Sequence, residues 1–295
     1  MKLGLASGTV EGSFRGRTPT FRDFQELAQL SEQIGLDSFW LADHLLYRFP
    51  GQEERGAWES LSLLSGLAAT TNRISLGPIV ACTAFRNPAL LAKMTDTIDE
   101  ISGGRFILGL GAGWHEPEFQ AFGFPFDHRA SRFEEALKII VPLLRKGHVD
   151  FRGQYYQARD CDLRPRGPSK SGPPIWVGAK GPRMMRLAAT YADAWNTVWH
   201  TDAQQVQEAY TRLKAACAEV GRGVATIQLT AGTAVKLLRA GEEPWLDNGI
   251  TGTPEEIAAR LQQFAAVGVQ HLLVMIDPPD MVGLERFSRV VELMA

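Results

Sequence analysis

Residues Phe106 to Phe119 read FILGLGAGWHEPEF, three alternating glycines followed by a histidine and two carboxylates. Gly109, Gly111 and Gly113 look like the opening of a dinucleotide-binding turn, G-x-G-x-x-G, whose third glycine lets a helix pack close against the strand. Trp114 occupies that third place, and Pro117 soon after predicts a poorly formed phosphate-binding helix. The run also falls at the fourth strand, whereas such a turn opens its domain. The dinucleotide reading is rejected. The glycines can instead clear side chains from the C-terminal end of a strand so that a planar ligand approaches the backbone. A plain tight turn would use them equally well.

Other chemistry-bearing residues also fall at strand ends. Leu41-Ala-Asp43-His44 sets an acid beside a histidine, a residue able to move a proton near neutral pH. Ile79-Val80-Ala81-Cys82-Thr83 closes another strand, and Val177-Gly178-Ala179-Lys180-Gly181-Pro182-Arg183 closes a third. The last has the parts of an anion site: glycine-rich backbone, a helix start and two cations. His115-Glu116-Pro117-Glu118 fails the H-E-x-x-H metal pattern at Phe119, so no metal is expected. There is no G-x-S-x-G elbow and no Walker loop. His128 and His148 read as surface or loop residues, His200 could approach the same end of the fold, and His271 reads as structural. Arg129 and Arg132 read as surface charges at a helix start. Trp114 and Trp199 are the tryptophans best placed to line a pocket.

These residues need a scaffold that gathers strand ends. Strands are expected at Lys2–Ala6, Ser38–Ala42, Ile74–Ala81, Phe106–Leu110, Pro174–Gly178, Ala194–Val198, Ile227–Val235 and His271–Ile276, with amphipathic helical stretches between them. Asn87-Pro88, Gly181-Pro182 and Thr253-Pro254 mark helix starts, and Gly35 and Gly268 mark ends. VDFRGQYYQ, around Gly153, reads as an inserted hairpin. Eight strand–helix units imply a (β/α)8 TIM barrel of the α/β class, one domain over residues 1–295, with an open doubly wound sheet as the competing layout. Active sites of such barrels lie at the C-terminal ends of the strands.

A net charge of -2 argues against a nucleic-acid face and against a polybasic membrane contact. Three scattered cysteines give neither a disulfide framework nor a zinc site, and the N-terminus lacks a signal-peptide pattern. A cytoplasmic protein is expected.

Taken together, SFWLADHL, RISLGPIVACTAFRNPALLAKMTDTIDEISGGRFILGLGAGWHEPEFQAFG, PIWVGAKGPRMMRLAATYADAWNT and TPEEIAARLQQFAAVGVQHLLVMI resemble the bacterial-luciferase-like flavin and deazaflavin oxidoreductases over nearly the whole chain. The resemblance implies a barrel holding the deazaflavin F420, or alternatively FMN, at its C-terminal mouth. It implies that Asp43 and His44 sit beside the reactive ring, with His44 as the proton-transfer residue. The Ile79-Val80 link matches the place of a non-proline cis peptide behind the ring. Cys82 and Thr83 fall near the ring's polar edge, Gly111 and Gly113 along the ring or ribityl path. Gly178, Ala179, Lys180, Gly181 and Pro182 fall at the phosphate. Relatives that oxidise sugar phosphates carry a catalytic glutamate where this chain has Trp114, which leaves Glu116 as the candidate acid. The expected activity is F420-linked hydride transfer to or from a small organic substrate. The alternatives are an FMN-dependent monooxygenase served by a partner reductase, and a non-catalytic flavin-binding barrel. The family pattern also implies a homodimer.

Overall fold

The computed structural model describes residues 1–294. Its main sheet is parallel, and its strands are mostly buried on both faces, as expected where helices cover the outside and side chains fill the inside. The strands are β1 (Lys2–Ser7), β2 (Ser38–Leu41), β3 (Ser75–Pro78, resuming at Ala81–Cys82), β4 (Leu108–Gly111), β5 (Ile175–Gly178), β6 (Ala194–Thr197), β7 (Gln228–Lys236) and β8 (His271–Asp277). Each pairs with the next, and β8 returns to β1. The circle closes at β3: its first half pairs with β2, its second half with β4, and Leu76 also bridges Phe106. The expected unbroken strand Ile74–Ala81 is therefore corrected. It is split at Ile79-Val80, which are joined by a cis peptide bond.

The helices are α1 (Phe21–Gln33), α2 (Ser60–Thr70), α3 (Pro88–Ser102), α4 (Glu116–Phe122), α5 (Arg129–Lys146), α6 (Pro182–Tyr191), α7 (Ala203–Glu219), α8 (Pro254–Ala266) and α9 (Met281–Met294). Their starts follow the local chemistry. Asn87 accepts from the N–H groups of Ala89 and Leu90, and Thr253 forms a capping box with Glu256. The helix expected to suffer from Pro117 forms after all. Pro117 lies in the first turn of α4, where its missing N–H leaves no hydrogen bond unmade. The inserted hairpin, His148–Arg152 with Gln157–Asp162, turns on Glu135, whose carboxylate accepts the N–H groups of Gln154, Tyr155 and Tyr156.

The barrel floor is plugged by Trp40 and Trp176, whose ring centroids lie 4.5 Å apart. Bulk there demands absence elsewhere: a Cβ on Gly77 would stand 2.6 Å from the Trp40 ring. His271 lies at this floor as a structural residue, its Nε2 2.7 Å from Ser38 Oγ, which accepts from Trp40 Nε1. Burial pushes the His271 imidazole down to about 3. With the floor filled, open volume is left at the other end, where the strands finish. No helix among the described residues is long and apolar enough to cross a membrane.

Candidate functional site

At the C-terminal mouth the strand ends enclose a cavity of about 810 Å³, within the range of small-molecule and cofactor sites. One wall is made by the interruption of β3. Ile79 and Val80 bulge inward, and Val80 occupies space left open by glycines on β4 and β5. A Cβ on Gly111 would meet Val80 Cγ2 at 2.5 Å, and one on Gly178 would meet it at 3.3 Å. Gly109 is more constrained, since its Cβ would lie 2.2 Å from the Pro78 carbonyl oxygen.

The bulge is fixed from behind by Asp43. Its carboxylate accepts from the Ser60 hydroxyl at 2.7 Å and the Cys82 N–H at 2.8 Å. Both terminal nitrogens of Arg86 also reach it, each at 2.8 Å. Burial opposes charge on Asp43, but the Arg86 hydrogen bonds and charge outweigh it and hold the carboxyl below its usual range. Arg86 also pairs with Glu59. Cys82 is buried, and burial pushes its thiol up to about 12, so it lines the cavity as a neutral, weakly nucleophilic group.

His44 faces the cavity from the end of β2, its Nδ1 3.0 Å from Glu118 Oε1. The other Glu118 oxygen accepts the Leu45 N–H at 2.9 Å, so the carboxylate is held at both ends within a buried site. Tyr47 packs on His44 with centroids 4.5 Å apart, and Trp114 meets the imidazole edge-on at 5.5 Å. Burial, reinforced by the Glu118 charge, raises the Tyr47 hydroxyl well above its ordinary range. At the far end, α6 begins at Gly181 with no side chain capping it, and Lys180 stands beside this start on the cavity wall. Backbone N–H groups in the first turn of such a helix are free to receive an anion.

A family model described as luciferase-like monooxygenase matches residues 1–245. The chain belongs to this family. The pyrimidine monooxygenase RutA of Stutzerimonas stutzeri (strain A1501) is 32% identical over 281 residues, covering 90% of this chain and 76% of that one. An F420-dependent glucose-6-phosphate dehydrogenase of Amycolatopsis mediterranei (strain U-32) is 35% identical over 182 residues, 59% of this chain and 52% of the other. In the latter match, as in others, the chain spans about half the length of the curated relative. Among solved structures, the monooxygenase RslO1 from Streptomyces bottropensis superposes with a TM-score of 0.81 at 21% identity, over 99% of this chain and 97% of that one. That likeness speaks for the fold, a luciferase-like barrel. The two curated relatives are a monooxygenase and an F420-dependent dehydrogenase.

Most of the residues singled out in the sequence converge on this cavity. Asp43, His44, Ile79, Val80, Cys82, Gly111, Gly113, Gly178, Ala179, Lys180 and Gly181 all line it, and so do Trp114 and Trp199. Three do not converge. Glu116 is exposed on the outer face of α4, bonded to Gln120 and away from the cavity, so the candidate acid is corrected. Glu118, two residues on, is the carboxylate that reaches His44. Thr83 is buried and donates to the Gly111 carbonyl at 3.3 Å behind the wall. Pro182 is the first residue of α6, has no N–H to offer, and lies outside the lining. Asp43 reaches the wall, but with its carboxylate directed at protein donors.

Arg129 is the opposite case. Expected on the surface, it lines the cavity, donates to the Gly113 carbonyl at 2.7 Å and lies over Phe126. His200 stays out of the lining, hydrogen-bonded to Thr197 at 2.8 Å. Sequence reasoning missed Met184 and Asn196. Tyr47, Phe49, Arg55 and Trp245 fall within loops 47–56 and 241–251, whose Gly, Pro and charged content fits coverings over the mouth, but were not singled out individually. The aromatics Tyr47 and Phe49 after His44 were the available signal, since a loop following a strand end lies over the mouth.

Proposed function

We propose that this protein is an FMN-dependent monooxygenase acting on a small planar organic substrate, with reduced flavin supplied by a partner reductase. The observation that carries the reading is the arrangement of one cavity: a glycine-backed wall at Val80, a proton-handling His44–Glu118 pair, and an uncapped helix start at Gly181. The relative spanning nine-tenths of the chain is named a pyrimidine monooxygenase, which favours oxygen chemistry.

The residues present fit an isoalloxazine-type group. The side-chain-free stretch at Gly111 and Gly178, with Val80 over it, offers a flat wall for a ring. Gly111, Gly113 and Ala179 would follow the ribityl chain, while Lys180, Gly181 and the first turn of α6 would hold the phosphate. Such a group, when bound in reduced form, supplies oxygen activation as a flavin or hydride as a deazaflavin.

The chain's own residues supply orientation and a proton. His44 Nδ1–H donates a hydrogen bond to Glu118 Oε1, which leaves His44 Nε2 to take or return a proton in the cavity. Tyr47 and Trp114 flank the imidazole and limit water around it. Asp43 acts at one remove, anchoring the Cys82 end of the bulge. The second reading, F420-dependent hydride transfer, is favoured by the F420-dependent relative and by the GLGAGW run.

The test is a side-by-side titration of purified protein with FMN and F420, read by fluorescence, followed by oxygen uptake with a flavin reductase. Tighter binding of reduced FMN, with oxygen consumption stimulated by substrate, supports the monooxygenase. F420 binding without FMN binding supports hydride transfer. Failure of both to bind overturns the cofactor reading.

A further inference from the structure

Around the cavity most charges are already engaged. Glu118 and Asp43 are saturated by protein donors, and Arg129 donates to Gly113. Arg55 is different. It lines the cavity, half-buried, from the short hairpin Leu46–Tyr47 with Arg55–Gly56 that follows β2. Among the described residues its guanidinium has neither a hydrogen-bond acceptor nor an ion-pair partner. The carboxylates beside it are occupied: Glu54 pairs with Arg48 at 2.5 Å, and Glu11 accepts the Gly56 N–H at 2.6 Å.

What Arg55 does touch is an aromatic face. Its guanidinium lies 4.9 Å from the ring centroid of Trp245, on the loop after β7. That loop is anchored, since the Asp277 carboxylate accepts the N–H groups of Trp245 and Leu246, each at 2.9 Å. In barrel order, β7, β8, β1 and β2 are consecutive, so the pair arches over the β8–β1 side of the mouth. The helix start at Gly181 follows β5, across the barrel from that arch. The cavity thus has two cationic ends on opposite sides. Between them, Phe49 is stacked with Tyr47 at 6.0 Å and with Trp114 at 6.4 Å, which gives flat apolar surface beside His44.

A half-buried cation without a counter-ion is costly, and an anion that supplies one recovers that cost. A guanidinium stacked on an indole keeps its planar fork of donors free, and the fork matches a carboxylate in two parallel hydrogen bonds. We propose that Arg55, seated on Trp245, is the substrate-recognition cation, and that the cavity takes a small planar ring acid. Its carboxylate pairs with Arg55 and its ring lies on the aromatic surface beside His44. This deepens the proposed function and rests on its division of the cavity into a cofactor end and a substrate end.

The test measures binding of benzoate, benzamide and acetate by tryptophan fluorescence at constant ionic strength. Benzoate is expected to bind at least tenfold more tightly than either, because only it has both ring and charge. In Arg55→Met the benzoate preference over benzamide should vanish. Arg55→Lys, which keeps the charge without the fork, should bind benzoate at least threefold more weakly than wild type. Arg152→Met removes an equal charge from an exposed position on the inserted hairpin and should retain the preference. The proposal is overturned if wild type does not prefer benzoate, if the preference survives in Arg55→Met, or if Arg152→Met loses it equally. The wild-type comparison decides even if Arg55→Met fails to fold. FMN and F420 titrated into the same samples report on the cofactor reading separately: their failure to bind sinks that reading, while the benzoate series still decides this one.

Discussion

Replacing Asp43 by Ala should destabilise the protein and expose a thiol that is otherwise inert. The Asp43 carboxylate is fully buried and Arg86 nearly so, and removing one member of a buried pair typically costs about 3–5 kcal/mol. Arg86 keeps Glu59 as a partner, which puts the expected cost at the lower end, about 3 kcal/mol. At an unfolding entropy of about 2.1 cal/mol/K per residue over 295 residues, each kcal/mol corresponds to ~1.6 °C, giving a fall in Tm of ~5 °C. The local consequence is more specific. Asp43 Oδ2 holds the Cys82 N–H, so the second half of β3 should loosen and Cys82 should react with a disulfide reagent in the native state. Calorimetry would measure the first effect, and mass mapping of the modified cysteine the second. A Tm within 2 °C of wild type, with Cys82 still protected, would refute the anchoring role. The pH dependence follows the same pair. Asp43 has its folded pKa depressed, so its contribution is present above the unfolded value near 4 and is lost as pH falls through the folded one. The Ala variant should lack that share of acid destabilisation.

Three further outcomes are expected. His44→Ala should reduce turnover at least a hundredfold while leaving flavin affinity within about threefold; unchanged turnover removes His44 from the chemistry. Glu118→Gln should lower turnover at least tenfold and shift its pH profile, whereas Glu116→Gln should stay within twofold of wild type, and steady-state kinetics of the two variants would show an inverted order if the assignment is wrong. His271, neutral in the fold at a pKa of about 3, should weaken stability as pH drops from 6.5 toward that value, because the unfolded chain binds the proton more readily. The slope approaches ~1.4 kcal/mol per pH unit, and His271→Gln should flatten it in thermal melts between pH 4.5 and 6.5.

Much of the fold was legible because strand and helix ends carry local chemistry. The caps at Asn87 and Thr253 mark the same helix starts in sequence and structure, and the eight strand positions agree to within a few residues. The break in β3 was not readable from periodicity, since ISLGPIVA is apolar throughout and its interruption depends on packing against β4 and β5. Glu116 shows a second limit. Once α4 starts at Glu116, the rotation of about 100° per residue turns residues two apart to opposite faces, so Glu118 faces inward and Glu116 does not. Treating Pro117 as a helix breaker hid that geometry; treating it as a first-turn proline would have exposed it. Arg55 and Trp245 could not be paired from sequence at all, because 190 positions separate them and only barrel closure brings their loops together.

The Val80 side chain also constrains how this mouth can evolve. Gly111 and Gly178 lie on different strands, yet the same isopropyl group blocks the Cβ position at Gly111 and crowds the one at Gly178. Gly111 cannot gain a side chain while Val80 stays in place, and at Gly178 Val80 would have to give by a few tenths of an ångström. Shrinking Val80 first would make room at both positions at once, so the order of substitutions matters and their effects are epistatic rather than additive. Gly109 gains nothing from that route, because its obstacle is the Pro78 backbone. One residue on the bulge is therefore the permissive step for reshaping the wall at Gly111 and eases it at Gly178.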